Sequence, residues 1–585
     1  MVPVTQLLDR SVRRGRSLPS VRRIPVLGRF LTWLTPDYGG LIGAACFFCW
    51  SLTPSLLPRT WIYQAMVSGL TATIGYALGS LIGWVVRLVL RRARPGLLEP
   101  SRRVRLAAWW ALGGTASGAA AWYLTSTAGW QTELRTLMGM ASPGPNHYLF
   151  ILLVAGAIFV VFLAVGRLIR GASRRLRRFF GRWVPPQVAL VASVLCVGGL
   201  TFWSWTGLLY PSLLGVANDA FAAVNMETEA GNNAPSSATH SGGPGSLVTW
   251  DSLGRKGREF VSSGPTVQEL TAFNGEVALD PVRAYVGMDS AETPAGLASL
   301  AVRELERAGG FDREVLVVVT TTGTGWVDGA AADALEYLYN GDSAIVAMQY
   351  SYLPSWISFV ADQEQVRVAG EALFDAVHDA WLERPAAERP RLVVYGESLG
   401  AMGSAAAFES VDDLQSKADG ALWVGSPSRH DLRGSLTAER DSGSPSRLPV
   451  YEGGAEVKFW GGWQEPLDLE FDPGVPPVLF LQHASDPVTL WSWELMFNRP
   501  EWIDEEHGPD VLPTLDWYPF VTFWQLTADM ALSATVPAGH GHNYGGELVD
   551  AWLAVAPPDD WPASRTDDLR ERVHSFQDQQ TGPFG

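Results

Sequence analysis

The stretch Arg391 to Phe408, RLVVYGESLGAMGSAAAF, restricts the fold more than any other part of the chain. An apolar run from Leu392 to Tyr395 meets Gly396-Glu397-Ser398-Leu399-Gly400 and then an Ala-rich segment, so the expected order is strand, sharp turn, helix. Glycines two residues either side of Ser398 permit that turn, because a Cβ at either position would collide where backbone is pressed against backbone. Ser398 Oγ then stands clear of the strand end, with Leu399 N–H directed into the same space. With 60 glycines in the chain, such spacing also arises by chance. Its weight comes from the strand before it, the helix after it and the polar residues further on.

Around this stretch, apolar runs alternate with helical patterns. Strands are expected at Arg283 to Val286, Val315 to Thr320, Ala344 to Gln349, Ala421 to Val424, Val478 to Gln482 and Leu532 to Val536. Helices are expected over Ala295 to Ala308, Ala330 to Tyr339 and Val366 to Leu382. That succession implies a mainly parallel sheet covered on both faces. Ligands bind beyond the carboxyl ends of such strands, so the polar residues just after each run matter most. Val478 to Gln482 delivers Asp486, and Leu532 to Val536 delivers His540 and His542 before a helix starting near Glu547.

The order Ser398, Asp486, histidine is nucleophile, acid, base. Serine is a weak nucleophile at neutral pH, so an imidazole must take its proton and a carboxylate must hold that imidazole's tautomer. His542, nearest the helix start, is the first choice for the base, and His540 stays open. After Val315 to Thr320 comes Thr321-Thr322-Gly323-Thr324-Gly325-Trp326, where small residues let backbone amides near Gly323 and Thr324 approach an oxyanion together with Leu399 N–H. No G-K-[ST] follows, so this is not a phosphate loop. His540 and His542 with one carboxylate lack a third clustered ligand, so no metal is expected, and no motif calls for a cofactor.

The other half of the chain has different chemistry. Up to Pro185 there are 23 arginines, no lysine and four acids (Asp9, Asp37, Glu99, Glu133), a charge of +19 against −35 for the remainder. The basic half is also the apolar half, which argues for membrane insertion rather than nucleic-acid binding. Five apolar stretches, Gly40 to Leu57, Ile62 to Val86, Leu106 to Trp130, Tyr148 to Gly166 and Val188 to Leu209, approach the ~20 residues a spanning helix needs. Pro54 interrupts the first. Arginines crowd the N-terminal tail, the loop from Arg87 to Arg105 and the segment from Arg167 to Arg182, whereas the alternate loops hold only Arg59 and Arg135. By the positive-inside rule, five crossings leave the C-terminal half outside. Gly75, Gly79 and Gly83 share a helix face that lets a neighbour approach closely. No acid lies at mid-depth in an apolar stretch, so this half reads as an anchor rather than a transport path. All three cysteines, Cys46, Cys49 and Cys196, lie in apolar stretches, so the C-terminal half needs no disulfide.

TTTGTGW, QYSYLPSW (Gln349 to Trp356), GESLGA, GSPSRHDL (Gly425 to Leu432), HASDPV and GHGHNY together resemble the bacterial membrane-anchored α/β-hydrolase family. Its members join an N-terminal multi-pass region to a catalytic domain of largely unassigned substrate. The resemblance implies the fold and a serine hydrolase site on Ser398, Asp486 and His542 or His540; it does not imply a substrate. The expected architecture is a basic tail over 1–38, a bundle of about five spans over 39–215, a linker over 216–265 and an α/β-hydrolase domain over 266–585. The expected activity is cleavage of an ester or thioester of an apolar acyl chain, facing outward from a bacterial cytoplasmic membrane, with membrane lipids as neighbours. Transfer of the acyl group to an alcohol, and a non-catalytic scaffold of the same fold, are the alternatives. Aromatic residues from Trp460 to Trp524 read equally as a lid or acyl groove and as core.

Overall fold

The computed structural model describes residues 37–93, 101–141, 147–361, 363–428 and 431–577. The expected basic tail lies almost wholly outside them. Two compact units emerge, one of residues up to Cys49, Ser68–Ala121 and Leu153–Val194, the other of Trp50–Val67, Trp122–Leu152 and Leu195–Gly585.

The first unit is helical. Gly75 and Gly79, on the helix Trp61–Ala93, meet Gly39 and Gly43 of the helix Tyr38–Ser51. A Cβ on Gly43 would fall 2.0 Å from Gly75 O, and one on Gly79 2.1 Å from Gly39 O, so the expected small-residue face has its neighbour inside the bundle. Of the five segments expected to span, three helices among the described residues are long and apolar enough, Trp61–Leu90, Tyr148–Phe180 and Pro186–Asn225. Tyr38–Ser51 has 14 residues, about 21 Å of helix, and ends three residues before Pro54. Arg102–Leu137 is long, but Ala, Gly and Thr dilute its apolar residues and arginines stand near both ends.

In the second unit seven strands form one sheet: β1 (Val282–Val286), β2 (Val315–Thr320), β3 (Ser343–Met348), β4 (Arg391–Glu397), β5 (Gly420–Val424), β6 (Val457–Trp460) and β7 (Val478–Leu481). Their order is β1-β3-β2-β4-β5-β7-β6 and every pair is parallel. The strands are buried almost throughout, as near-continuous Val, Leu and Ile runs require when both faces are covered. Helices Pro294–Arg307, Gln363–Leu382 and Leu399–Ala405 pack together, and so do Gly329–Leu338, Glu547–Val555 and Thr566–Gln577.

Two expectations need correction. Leu532 to Val536 is not a strand but a series of turns after the helix Val521–Met530. Its small residues lack the bulk to fill a sheet face, and Ser533 O is used to accept the His542 amide at 2.9 Å. The edge of the sheet is β6 instead, whose four residues are too few to show a period. Nor is the stretch 216–265 a bare linker. Ser241 N donates to Arg283 O (3.0 Å) and Ser241 Oγ accepts from Tyr285 N (2.9 Å), while Glu304 collects Ser246 Oγ and Leu247 N. Its polar composition thus saturates backbone beside β1, and Phe260 and Val261 of the helix Gly254–Ser262 are buried.

Candidate active site

β4 lies centrally, between β2 and β5, and delivers Ser398 at its carboxyl end. Ser398 has φ 55° and ψ −127°, a left-handed conformation costly for a residue with a Cβ. The turn is enforced from both sides: a Cβ on Gly396 would sit 2.5 Å from Gly400 O, and one on Gly400 2.2 Å from Thr320 O. Ser398 N donates to Val424 O at 2.9 Å, tying the nucleophile to β5. Leu399 opens the following helix, so its amide has no acceptor within that helix.

Asp486 and His542 are brought together. His542 Nδ1 lies 2.7 Å from Asp486 Oδ2, and both side chains are fully buried. Asp486 Oδ2 also accepts from Tyr544 Oη (2.7 Å), while Oδ1 accepts from Val488 N (2.8 Å). The carboxylate therefore has its lone pairs matched in a dry setting. Gly425, just after β5, has φ 54°, and a Cβ there would fall 2.3 Å from His542 Cε1 and 3.0 Å from Asp486 Oδ2. The Nδ1–Cε1 edge of the imidazole thus packs against the residue next to Val424, whose carbonyl holds Ser398. His542 Nε2 has no hydrogen-bond partner among the described residues. Catalytic hydrogen bonds of this kind commonly close only when substrate arrives.

His540 is engaged elsewhere. Its Nδ1 lies 3.0 Å from Asp510 Oδ2, which also accepts from Ser485 Oγ, and Ser485 Oγ accepts the Gly541 amide at 2.8 Å. His483, third in this neighbourhood, pairs with Glu547 at 2.8 Å and stacks on Tyr544. Burial pulls the His483 pKa down, but the hydrogen bond and charge of Glu547 outweigh it and the net shift is upward. The loop carrying both candidate bases is thus held by a network with no signature in the sequence. Asp510 sits in an aperiodic insertion, and nothing in its spacing marks it.

On the opposite side, Gly323 N donates to Ser355 Oγ at 3.1 Å, and Thr324 O accepts from Gln349 Nε2 at 3.0 Å. The Gly323 amide, expected among the oxyanion donors, is therefore committed, which leaves the amides of Leu399 and Thr324. The aromatic residues divide: Trp460, Trp491 and Phe523 are buried, whereas Trp463 and Trp493 are exposed.

One more acid belongs to the site. Glu397, the unspecified residue of the pentapeptide, is buried, and its Oε1 lies 3.9 Å from His542 Nε2. Tyr395 Oη donates to its other oxygen at 3.2 Å. Burial first, then the charge and hydrogen bonding of Asp328, hold Glu397 well above the usual carboxylate range. Asp328 is itself pushed up to about 6 by burial. Both shifts favour the protonated carboxyl, as burial without a compensating cation does.

A family model described as alpha/beta-hydrolase family matches residues 282–569, and one described as alpha/beta-hydrolase family N-terminus matches residues 52–265. No curated protein and no solved structure matches. The elbow at Ser398, the parallel sheet behind it and both matches lead to one statement: the chain belongs to this alpha/beta-hydrolase family and carries its N-terminal region as well as its hydrolase domain.

Proposed function

We propose that the chain is a membrane-tethered serine hydrolase that cleaves an ester or thioester of an apolar acyl chain through an acyl-enzyme. The observation that carries this reading is the buried 2.7 Å contact of His542 Nδ1 with Asp486 Oδ2, together with a Ser398 held in a strained left-handed conformation at the end of β4. Asp486 fixes the Nδ1–H tautomer, so the lone pair of Nε2 is free to take the Ser398 proton as Oγ bonds to the substrate carbonyl carbon. The carbonyl oxygen gains charge and is met by Leu399 N–H and the Thr324 amide. Collapse breaks the bond to the alcohol or thiol, which leaves with the proton from Nε2. Water, deprotonated by the same nitrogen, then attacks the acyl-serine, releases the carboxylic acid and restores Ser398.

Two observations support a tether with the hydrolase domain on the outer face of a bacterial cytoplasmic membrane. Three helices among the described residues have the length and apolarity to cross. Arg59 and Arg135, in the arginine-poor loops, belong to the hydrolase-containing unit, whereas the clusters at Arg87–Arg105 and Arg167–Arg182 belong to the other. An apolar acyl substrate suits a site held at a lipid surface.

The test is labelling of the full chain with a fluorophosphonate probe. Labelling is expected in the wild type and in His540→Ala, and is expected to vanish in Ser398→Ala and fall steeply in His542→Ala. Persistence of labelling in Ser398→Ala overturns the nucleophile. A reporter fused after Gly585 that reads cytoplasmic overturns the orientation.

A further inference from the structure

We infer that the loop Leu52–Thr60, between the first two apolar helices, is a working part of the catalytic site: Leu57 positions the turn that carries His542. The inference rests on the reading of Ser398, Asp486 and His542 as a triad. Leu56 and Leu57 are fully buried, although they follow the apolar helix Tyr38–Ser51 and precede Trp61–Ala93. Their segment is bolted to the helix Val521–Met530. Asp529 Oδ2 accepts the Leu56 amide at 3.1 Å, Gln525 Nε2 donates to Thr53 O at 3.1 Å, and Arg59 pairs with Asp529 at 3.4 Å with neither side chain exposed. From behind, Thr127 Oγ1 donates to Leu52 O (2.8 Å) and the Arg59 amide to Gln131 Oε1 (2.9 Å).

That helix runs through a turn into Ser533, whose carbonyl accepts the His542 amide. At the neighbouring Gly541, with φ 55°, a Cβ would fall 2.7 Å from both Ser533 O and Val536 Cγ2 and 3.3 Å from Leu57 Cδ2. Leu57, Val536 and Ser533 thus form the bed on which the Gly541–His542 peptide rests. From the polar side, Ser485 Oγ accepts the Gly541 amide and Gly541 O lies 3.0 Å from His483 Nδ1. Polar contacts fix where the peptide points. The Leu57 methyls fix how far it can recede. An imidazole held by one hydrogen bond to Asp486 swings with its backbone, and about 1 Å of misplacement costs on the order of 10²-fold in rate. The N-terminal region therefore acts on the chemistry itself, beyond anchoring it.

The test compares the rate of fluorophosphonate labelling at saturating probe for full-length Leu57→Ala, Leu57→Val, Leu57→Met and Leu305→Ala in detergent, each under conditions where urea titration shows it folded. Leu305 is equally buried but sits on the helix Pro294–Arg307, so its truncation loses the same atoms elsewhere. Partial recession predicts a labelling rate about tenfold lower in Leu57→Ala and about threefold lower in Leu57→Val, with half-saturation unchanged. Leu57→Met is expected to recover most of the rate, and Leu305→Ala to stay within about twofold of wild type. Should Leu57→Ala not accumulate, Leu57→Val and Leu57→Met carry the comparison. Wild-type rates in Leu57→Ala and Leu57→Val, or an equal loss in Leu305→Ala, overturn the inference. Labelling that survives Ser398→Ala instead overturns the triad beneath it, so the two failures are distinguishable.

Discussion

Replacing Arg59 by Met removes the cation from the buried pair with Asp529 and keeps most of its packing volume. Both side chains are fully buried, and stripping one member of such a pair costs about 3–5 kcal/mol because the other charge is left unmatched. Asp529 can escape by taking up a proton. Already in the wild type burial outweighs Arg59 and pushes its pKa from 3.8 to about 6. Protonating a carboxyl of unfolded pKa 3.8 costs about 1.4 kcal/mol per pH unit above that value, or about 6 kcal/mol at pH 8 and about 2 at pH 5. The escape therefore caps the damage in acid and not in alkali. Between pH 3.8 and about 6 the folded wild type binds the extra proton. Its stability from this group falls as pH rises through that window and then levels off. In Arg59→Met the folded pKa is higher still, so the fall continues and the two curves separate above pH 6. Urea unfolding of the full chain in detergent, followed by tryptophan fluorescence at pH 5 and pH 8, is expected to give a deficit of about 3–5 kcal/mol at pH 8 and under about 2 at pH 5. Arg59→Met/Asp529→Asn is expected to recover much of the loss. An equal deficit at both pH values, or a double variant no better than the single one, refutes the argument.

Glu397→Gln gives a second pH test. Glu397 has a raised pKa when folded, so its contribution is intact below the ordinary glutamate range and is lost as pH climbs towards the folded value. Gln cannot ionise and still offers an amide oxygen to Tyr395 Oη, so its urea midpoint is expected to exceed that of the wild type at pH 8 and match it at pH 5. Parallel curves would sink the reading of Glu397 as a buried acid of raised pKa. Asp486→Asn keeps a side chain able to accept from Val488 N but cannot stabilise the imidazolium, so labelling is expected to slow by about 10³–10⁴-fold; a fall of less than about tenfold would remove Asp486 from the mechanism.

The residues legible in the sequence are those whose neighbours in the chain also carry the signal. Ser398 and Asp486 each follow an apolar run that became a strand, and most core strands were expected within a residue or two because burial on both faces demands unbroken Val, Leu and Ile. The base was legible only as a pair. His540 and His542 are two residues apart in one loop, and which ring meets Asp486 depends on positive φ at Gly539 and Gly541 and on Asp510 capturing the other ring. Glu397 lay in plain view inside the pentapeptide, but a spacing motif leaves that position free. Only burial and the approach of Asp328 reveal it. Leu532 to Val536 read as a strand because propensity is local, whereas a strand needs a partner, and β6 had taken the edge.

Arg59 shows how a charge tally and a structure bear on the same residue. Counted with its loop, it weighs against the proposed outward orientation, since positive charge is retained inside. Yet its guanidinium is buried against Asp529, and Asp529 also binds the amide of Leu56 in the same loop. A cation neutralised by the folded hydrolase domain is committed to structure, which leaves Arg135 alone on that side against the clusters at Arg87–Arg105 and Arg167–Arg182. The pairing also explains why an arginine stands between Pro58 and the apolar helix at all. A loop that served only to turn the chain back would have no use for a desolvated charge, whereas a loop that must stay docked beside His542 gains a contact that fails visibly when either partner is lost.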